Sequence, residues 1–302
     1  MLLSFLPTEQ NFLGLPAEYS GEDARVVVVA VPYESTSTYG RGSYLGPQAI
    51  IAASHEVELY DAVLAKETYL AVKGIGTIAP FDFSDMDGEA VAARVYEITY
   101  SLLKRGKKVV LLGGEHTSVV GNVKAHCRYF QDVSVLQFDA HSDLRPDYLD
   151  NPWNHACAAT RILDFHDHLV QVGIRSQSVE DSQVATQRRI PIFYAHEIFR
   201  KDTQKEDWAE EIISSLRPNV YITFDCDVLD PSVVPGTGTP EPGGLTWYQL
   251  DHFLAALCKK RRVVGVDVSE LSPIPGQHHS EFTIAKLIYR MIGYAFSCHE
   301  EA

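Results

Sequence analysis

Cysteine is scarce in this chain: five in 302 residues, at positions 127, 157, 226, 258 and 298, with no CxxC pair and no regular spacing. That excludes a disulfide framework or a thiolate zinc knot as the organising device and points to a reducing compartment. Positive charge is also in deficit. The 26 Lys and Arg stand against 40 Asp and Glu, a formal charge of -14, which disfavours nucleic acid and anionic membranes as partners and favours small cations. The opening Met-Leu-Leu-Ser-Phe-Leu-Pro has no basic flank, and no apolar run is long enough to cross a bilayer, so a cytoplasmic location without membrane association is expected. No Pro/Gly/Ser-rich linker, internal repeat or low-complexity tract divides the chain. One domain over residues 1–302 is expected, with a short irregular lead over residues 1–24.

What is present is an alternation of buried strands and helices. Residues 25–31 form a continuous Val-rich run of parallel-sheet type, and residues 69–75, 108–112, 133–138, 169–174, 190–194, 220–224 and 263–268 are further strand candidates. Helical spacing fills several intervals: residues 46–64 after Gly46-Pro47, 84–104 behind a capping Ser84, 116–129, 206–216 and 246–259. This pattern predicts an α/β fold on a mostly parallel sheet of about eight strands.

The chemistry gathers where strands stop. The run 133–138 ends in Asp139-Ala-His141-Ser-Asp143, three donors spaced two apart, which share a face if the chain stays extended. A set of one imidazole and two carboxylates suits Mn, Fe or Zn, and the want of thiolate argues against a structural zinc. His116 follows another strand behind Gly113-Gly114-Glu115, Asp225 and Asp227 close Val-Tyr-Ile-Thr-Phe, and Asp267 closes Val-Val-Gly-Val. Ligands of open parallel sheets collect beyond the carboxyl ends of strands, so these four ends are expected to face one crevice. Any one of the acids alone reads equally well as structural. Cys226, between two acids that point one way, is expected to point into the core. Two histidines and four carboxylates exceed the need of one ion, and a two-metal site is the economical reading.

These residues are similar to the arginase/agmatinase (ureohydrolase) family. Gly113-Gly114-Glu115-His116, Asp139-Ala-His141-Ser-Asp143, Thr223-Phe-Asp225-Cys-Asp227-Val-Leu-Asp230-Pro231, Gly236-Thr-Gly-Thr-Pro240 and Asp267-Val-Ser-Glu270 stand in the family's order, from about Pro32 to the C-terminal helix. The departures are Glu115 and Thr117, where Asp and Ser are commoner. The resemblance implies a three-layer α/β/α fold around an eight-stranded sheet with two Mn2+ per chain. One ion would be held by His116, Asp139, Asp143 and Asp225, the other by Asp139, His141, Asp225 and Asp227. It also implies a homo-oligomer, a trimer or hexamer, and a proton-shuttle role for His155.

In such a site hydroxide would attack a guanidinium carbon and release urea and an amine. Asp227 could orient the nucleophile. Glu270 is the choice for pairing with the guanidinium N–H groups. Glu241 and the loop 33–46 are candidates for the pocket lining, and His278 and His279 read as solvated loop residues. The stretch from Leu144 to Cys157 resembles agmatinases and lacks the Asn-Leu-His-Gly pattern of arginases, so the expected substrate is a small cationic guanidine, agmatine, giving putrescine. Arginine, guanidinobutyrate and guanidinopropionate remain alternatives. Two other classes stay open at this point: a silent regulatory relative, and a deacetylase-like single-zinc enzyme.

Overall fold

The protein is described by a computed structural model over residues 3–297. In chain order the strands are β1 Val26–Val31, β2 Tyr60–Asp61, β3 Lys66–Glu67, β4 Ile75–Thr77, β5 Lys108–Gly113, β6 Val133–Phe138, β7 Leu169–Ile174, β8 Ile192–Tyr194, β9 Asn219–Asp225 and β10 Arg262–Ser269. β2 and β3 form a small antiparallel hairpin. The other eight make one sheet in the order β4-β1-β5-β10-β9-β6-β7-β8, every neighbouring pair parallel.

Both faces of this sheet are covered, which is why its strands read as unbroken apolar runs. In β1, Val26 and Val28 belong to one core cluster with Ile50, Leu254 and Ile288, while Val27 and Val29 belong to the other with Val91, Val95 and Ile98. The helix Gly88–Lys104 shows how sequence sets the layer. Its buried positions Val91, Val95, Ile98 and Leu102 recur at helical spacing, and the Asp87 carboxylate accepts from the Ala90 N–H at 2.8 Å to cap the first turn. Each such buried aliphatic side chain contributes about 1.5–3 kcal/mol.

Three elements differ from the sequence expectation. The helix expected from Ser84 starts at Gly88, because the Ser84 hydroxyl donates to Asp82 and leaves the cap to Asp87. The helix expected over 46–64 is Gly46–Ser54; the Ser54 hydroxyl turns back to the Ile51 carbonyl, and the chain beyond forms the β2-β3 hairpin. Residues 69–75 form a helical turn, Thr68–Ala71, and Gly74 at φ +92° releases the chain into β4.

The strand order makes the crevice. β5 and β6 are consecutive along this sheet's chain path but not neighbours, since β10 and β9 lie between them. Connections therefore leave the sheet in opposite directions above these central strands, where a pocket opens at the carboxyl edge. Gly114 is needed at that edge: a Cβ there would lie 2.1 Å from the Tyr33 carbonyl oxygen.

Candidate metal centre

Each strand end delivers donors to the crevice. His116 opens a short 3-10 turn after β5, Asp139 follows β6, Asp225 closes β9, and Asp227 sits in the turn Cys226–Val228. The His116 Nδ1 lies 3.1 Å from Asp143 Oδ2, 3.2 Å from Asp139 Oδ2 and 3.6 Å from Asp225 Oδ2. His141 Nδ1 lies 2.9 Å from Asp227 Oδ2 and 3.7 Å from Asp139 Oδ1. Asp139 thus turns one oxygen to each histidine. Two donor groups result, His116-Asp139-Asp225 and Asp139-His141-Asp227, each with its ligand atoms within 4.8 Å of one another.

Backbone and amide donors hold the acids in place. Asp139 accepts from Gln137 Nε2 and from the His141 N–H, Asp227 from the Ala140 N–H, and Asp225 from the Asp227 N–H, at 2.7–2.9 Å. Asp143 at φ +51° and Glu270 at φ +62° both adopt the left-handed backbone region, and such strain concentrates at functional sites. Extension therefore accounts for Asp139 and His141, while Asp143 arrives through a left-handed bend.

The electrostatics call for cations. Burial, then the charges of neighbouring acids, raise the pKa of Asp139, Asp225 and Glu270 above the carboxylate range. Burial pulls His116 and His141 down, but the adjoining aspartates more than reverse it and both are raised. Asp227 is lowered, since His141 outweighs its desolvation. Arg175, a nearby protein cation, directs its guanidinium at the carbonyls of Asp227 and Glu241 at 2.6 and 2.8 Å. An oxygen-rich set with two imidazoles, clustered around two adjacent points and left with excess negative charge, fits a pair of divalent first-row cations.

A cavity of about 250 Å³ leads from this cluster to the surface. His141, Asp143, Asp225, Asp227 and Glu270 form its inner end, and His155 and the loop 37–40 its wall. Glu270 accepts from the His116 N–H through Oε1 at 2.7 Å. His155 Nδ1 lies 3.0 Å from the Thr36 hydroxyl, and burial lowers its pKa despite Asp143. Glu241 reaches to 3.9 Å from His141 Nε2, beside the cavity lining. His278 is exposed, and His279 hydrogen-bonds the Val233 carbonyl on the surface. Cys226 is fully buried in the core.

One expectation fails. Asp267 does not face the crevice; it lies inside the sheet, hydrogen-bonded to Tyr221 and Thr223. Sequence reading also missed Thr36 and Glu115 as a pair. The buried Glu115 carboxylate accepts from the N–H groups of Ser35 and Thr36 and from the Thr36 hydroxyl, contacts across 79 residues or more that no local signal announces.

An eight-stranded parallel sheet with acids and imidazoles converging at its carboxyl edge defines a metal-dependent hydrolase of the ureohydrolase kind. The Arginase family model matches residues 24–293, and the chain belongs to that family, whose members carry binuclear metal centres. It is 36% identical over 296 residues to the N(1)-aminopropylagmatine ureohydrolase of Synechocystis sp., covering 96% of this chain and 95% of that one. The protein of the same description from Thermus thermophilus is 38% identical, with 90% of each chain covered. Among solved structures, the agmatine ureohydrolase of Thermoplasma volcanium superposes with a TM-score of 0.83 at 29% identity over 97% of this chain and 96% of that one. Among the described residues no helix is long and apolar enough to cross a membrane, and Cys127, Cys157, Cys226 and Cys258 are free thiols.

Proposed function

We propose that this ureohydrolase acts on agmatine and its N1-aminopropyl derivative, with His116, Asp139, His141, Asp143, Asp225 and Asp227 holding two Mn2+ ions. The observation that carries the reading is the cavity floored by His141 and four acids and walled by a second histidine. When bound, the two cations supply the activated water that attacks the guanidinium carbon. Glu270, anchored through one oxygen on the His116 N–H, turns the other toward the guanidinium and sets its plane. Asp227 accepts from the attacking water and aligns it. His155, with Nδ1 tied to Thr36 and its ring lining the pocket, takes a proton from the attacking water and hands it to the departing amine nitrogen. Guanidinium and water become urea and an ammonium: putrescine from agmatine, spermidine from the aminopropyl derivative. The room beyond the acid floor and the relatives' described substrate both support the longer amine.

One feature favours a second reading. Arg145, at the cavity wall and 4.5 Å over the Tyr148 ring, would pair with the carboxylate of 4-guanidinobutyrate. Urea release from Mn2+-loaded protein is the test, with agmatine, N1-aminopropylagmatine, arginine and 4-guanidinobutyrate compared by kcat/KM. The two amines are expected to exceed the others by at least about tenfold, or 1.4 kcal/mol. A preference for guanidinobutyrate would transfer the assignment to the second reading, and arginine as the best substrate would refute both.

A further inference from the structure

Asp267 is a fully buried acid with a directed set of partners. Thr223 donates to its Oδ1 at 2.8 Å and Tyr221 to its Oδ2 at 2.5 Å. Asn122 Nδ2 donates to the Tyr221 oxygen at 2.6 Å, and the Thr99 hydroxyl donates to Asn122 Oδ1 at 2.9 Å. At the other end, His116 Nε2 lies 3.0 Å from the Thr223 hydroxyl. Thr99, Asn122, Tyr221, Thr223, Asp267 and His116 are each at most 1% exposed, so bulk water does not reach the network and its protons are set by these partners.

Burial raises the Asp267 pKa to about 7 against the hydrogen bonds from Tyr221 and Thr223, and with the group ionised one placement uses every partner. A carboxylate accepts and does not donate, and a hydroxyl has a single proton. The Thr223 proton lies on Asp267, which leaves the hydroxyl oxygen only lone pairs to offer His116. His116 must then donate from Nε2, which makes Nδ1 the nitrogen that gives up its proton when a cation binds. Nδ1 is the atom surrounded by oxygens of Asp139, Asp143 and Asp225 at 3.1–3.6 Å.

We propose that Asp267, acting through Thr223, is the positioning residue that fixes His116 in its metal-ligating tautomer and orientation. This rests on the metal centre of the proposed function. Asp267 never touches the cation or the substrate. It acts from the interior, through one hydroxyl, on one ligand. Tyr221, Asn122 and Thr99 hold the carboxylate itself from the helix side.

The test compares Mn2+ affinity, by titration calorimetry and by metal content after dialysis, in three variants. Thr223→Val keeps the shape and removes the hydroxyl, and is expected to weaken binding by about 10–100-fold. Thr223→Ser keeps the hydroxyl and should restore wild-type affinity. Thr99→Val breaks the far end of the network, and should lower the melting temperature with affinity unchanged. Equal affinity in Thr223→Val and wild type would overturn the proposal, as would an equal affinity loss in Thr99→Val, which marks a merely structural network. Failure of the wild type itself to bind the metal would instead sink the proposed function. A neutron structure of the metal-loaded wild type decides without any variant. A deuteron on His116 Nε2, with that of Thr223 directed at Asp267, is the expected result; a Thr223 deuteron directed at His116 would overturn the inference.

Discussion

Two clusters of buried acids are built in opposite ways. Near the C-terminal helix, Asp61 is fully buried against Arg290 at 3.0 Å and Lys286 at 3.6 Å, and Arg290 also reaches Asp251 at 3.2 Å. Two acids meet two bases. Burial raises the Asp61 pKa, but the Arg290 hydrogen bond and charge, with Lys286, more than offset it and the net shift is downward. At the carboxyl edge of the sheet, five acids meet two imidazoles, and Asp139, Asp225 and Glu270 are raised. Burial is common to both, so it does not mark function. What separates them is whether the chain supplies its own cations.

Breaking each cluster in turn should give contrasting losses. Asp225→Asn removes a donor that the chain cannot replace, and is expected to strip metal and abolish urea release together, as chelation should in the wild type; metal analysis beside the activity assay checks it. His155→Ala should keep both ions while kcat falls by about 10²–10⁴-fold, and loss of metal there would show the residue misplaced. Arg290→Met, in the balanced cluster, should cost about 3 kcal/mol in urea denaturation by removing the closer of the two cations paired with Asp61, with kcat and metal content retained. Added Mn2+ should stabilise the wild type by about 2.7 kcal/mol at a hundredfold excess over Kd, an increment Asp225→Asn should lack.

The smallest effect sharpens the contrast with a third buried group. His126, whose Nδ1 bonds the Asn122 carbonyl and whose ring leaves no room for a side chain at Gly265, is lowered by burial to about 4. The unfolded chain then binds the proton first, so stability falls as pH drops below about 6.5 and levels only near the folded value. The loss between pH 7 and pH 5 is about 2 kcal/mol. His126→Gln should flatten that slope in denaturation measured across the range.

The candidate ligands were legible because they interrupt apolar runs. Asp139 and Asp225 each stop a run of at least five buried residues, and the sheet carries both to one edge. Asp267 follows the same local pattern and misleads. Its strand runs two residues further, and the register pairs Asp267 with Thr223 and Leu111, while Ser269 is level with Asp225. Depth within a sheet is set by neighbouring strands, and a single run of residues does not carry it. The Thr36–Glu115 pair was invisible for the same reason, since a loop residue finds its partner only once β1 and β5 lie side by side. Helix ends were blurred by side chains choosing nearer partners, as Ser84 does with Asp82.

All six proposed ligands lie before residue 228, yet β10, which separates β5 from β9, begins only at Arg262. A nascent chain emerging from the ribosome therefore displays every donor well before the spacer strand that sets His116 at its distance from Asp225. Completion of the His116 group has to wait for nearly complete synthesis, whereas Asp139, His141 and Asp227 sit on the adjacent β6 and β9 and need no later strand.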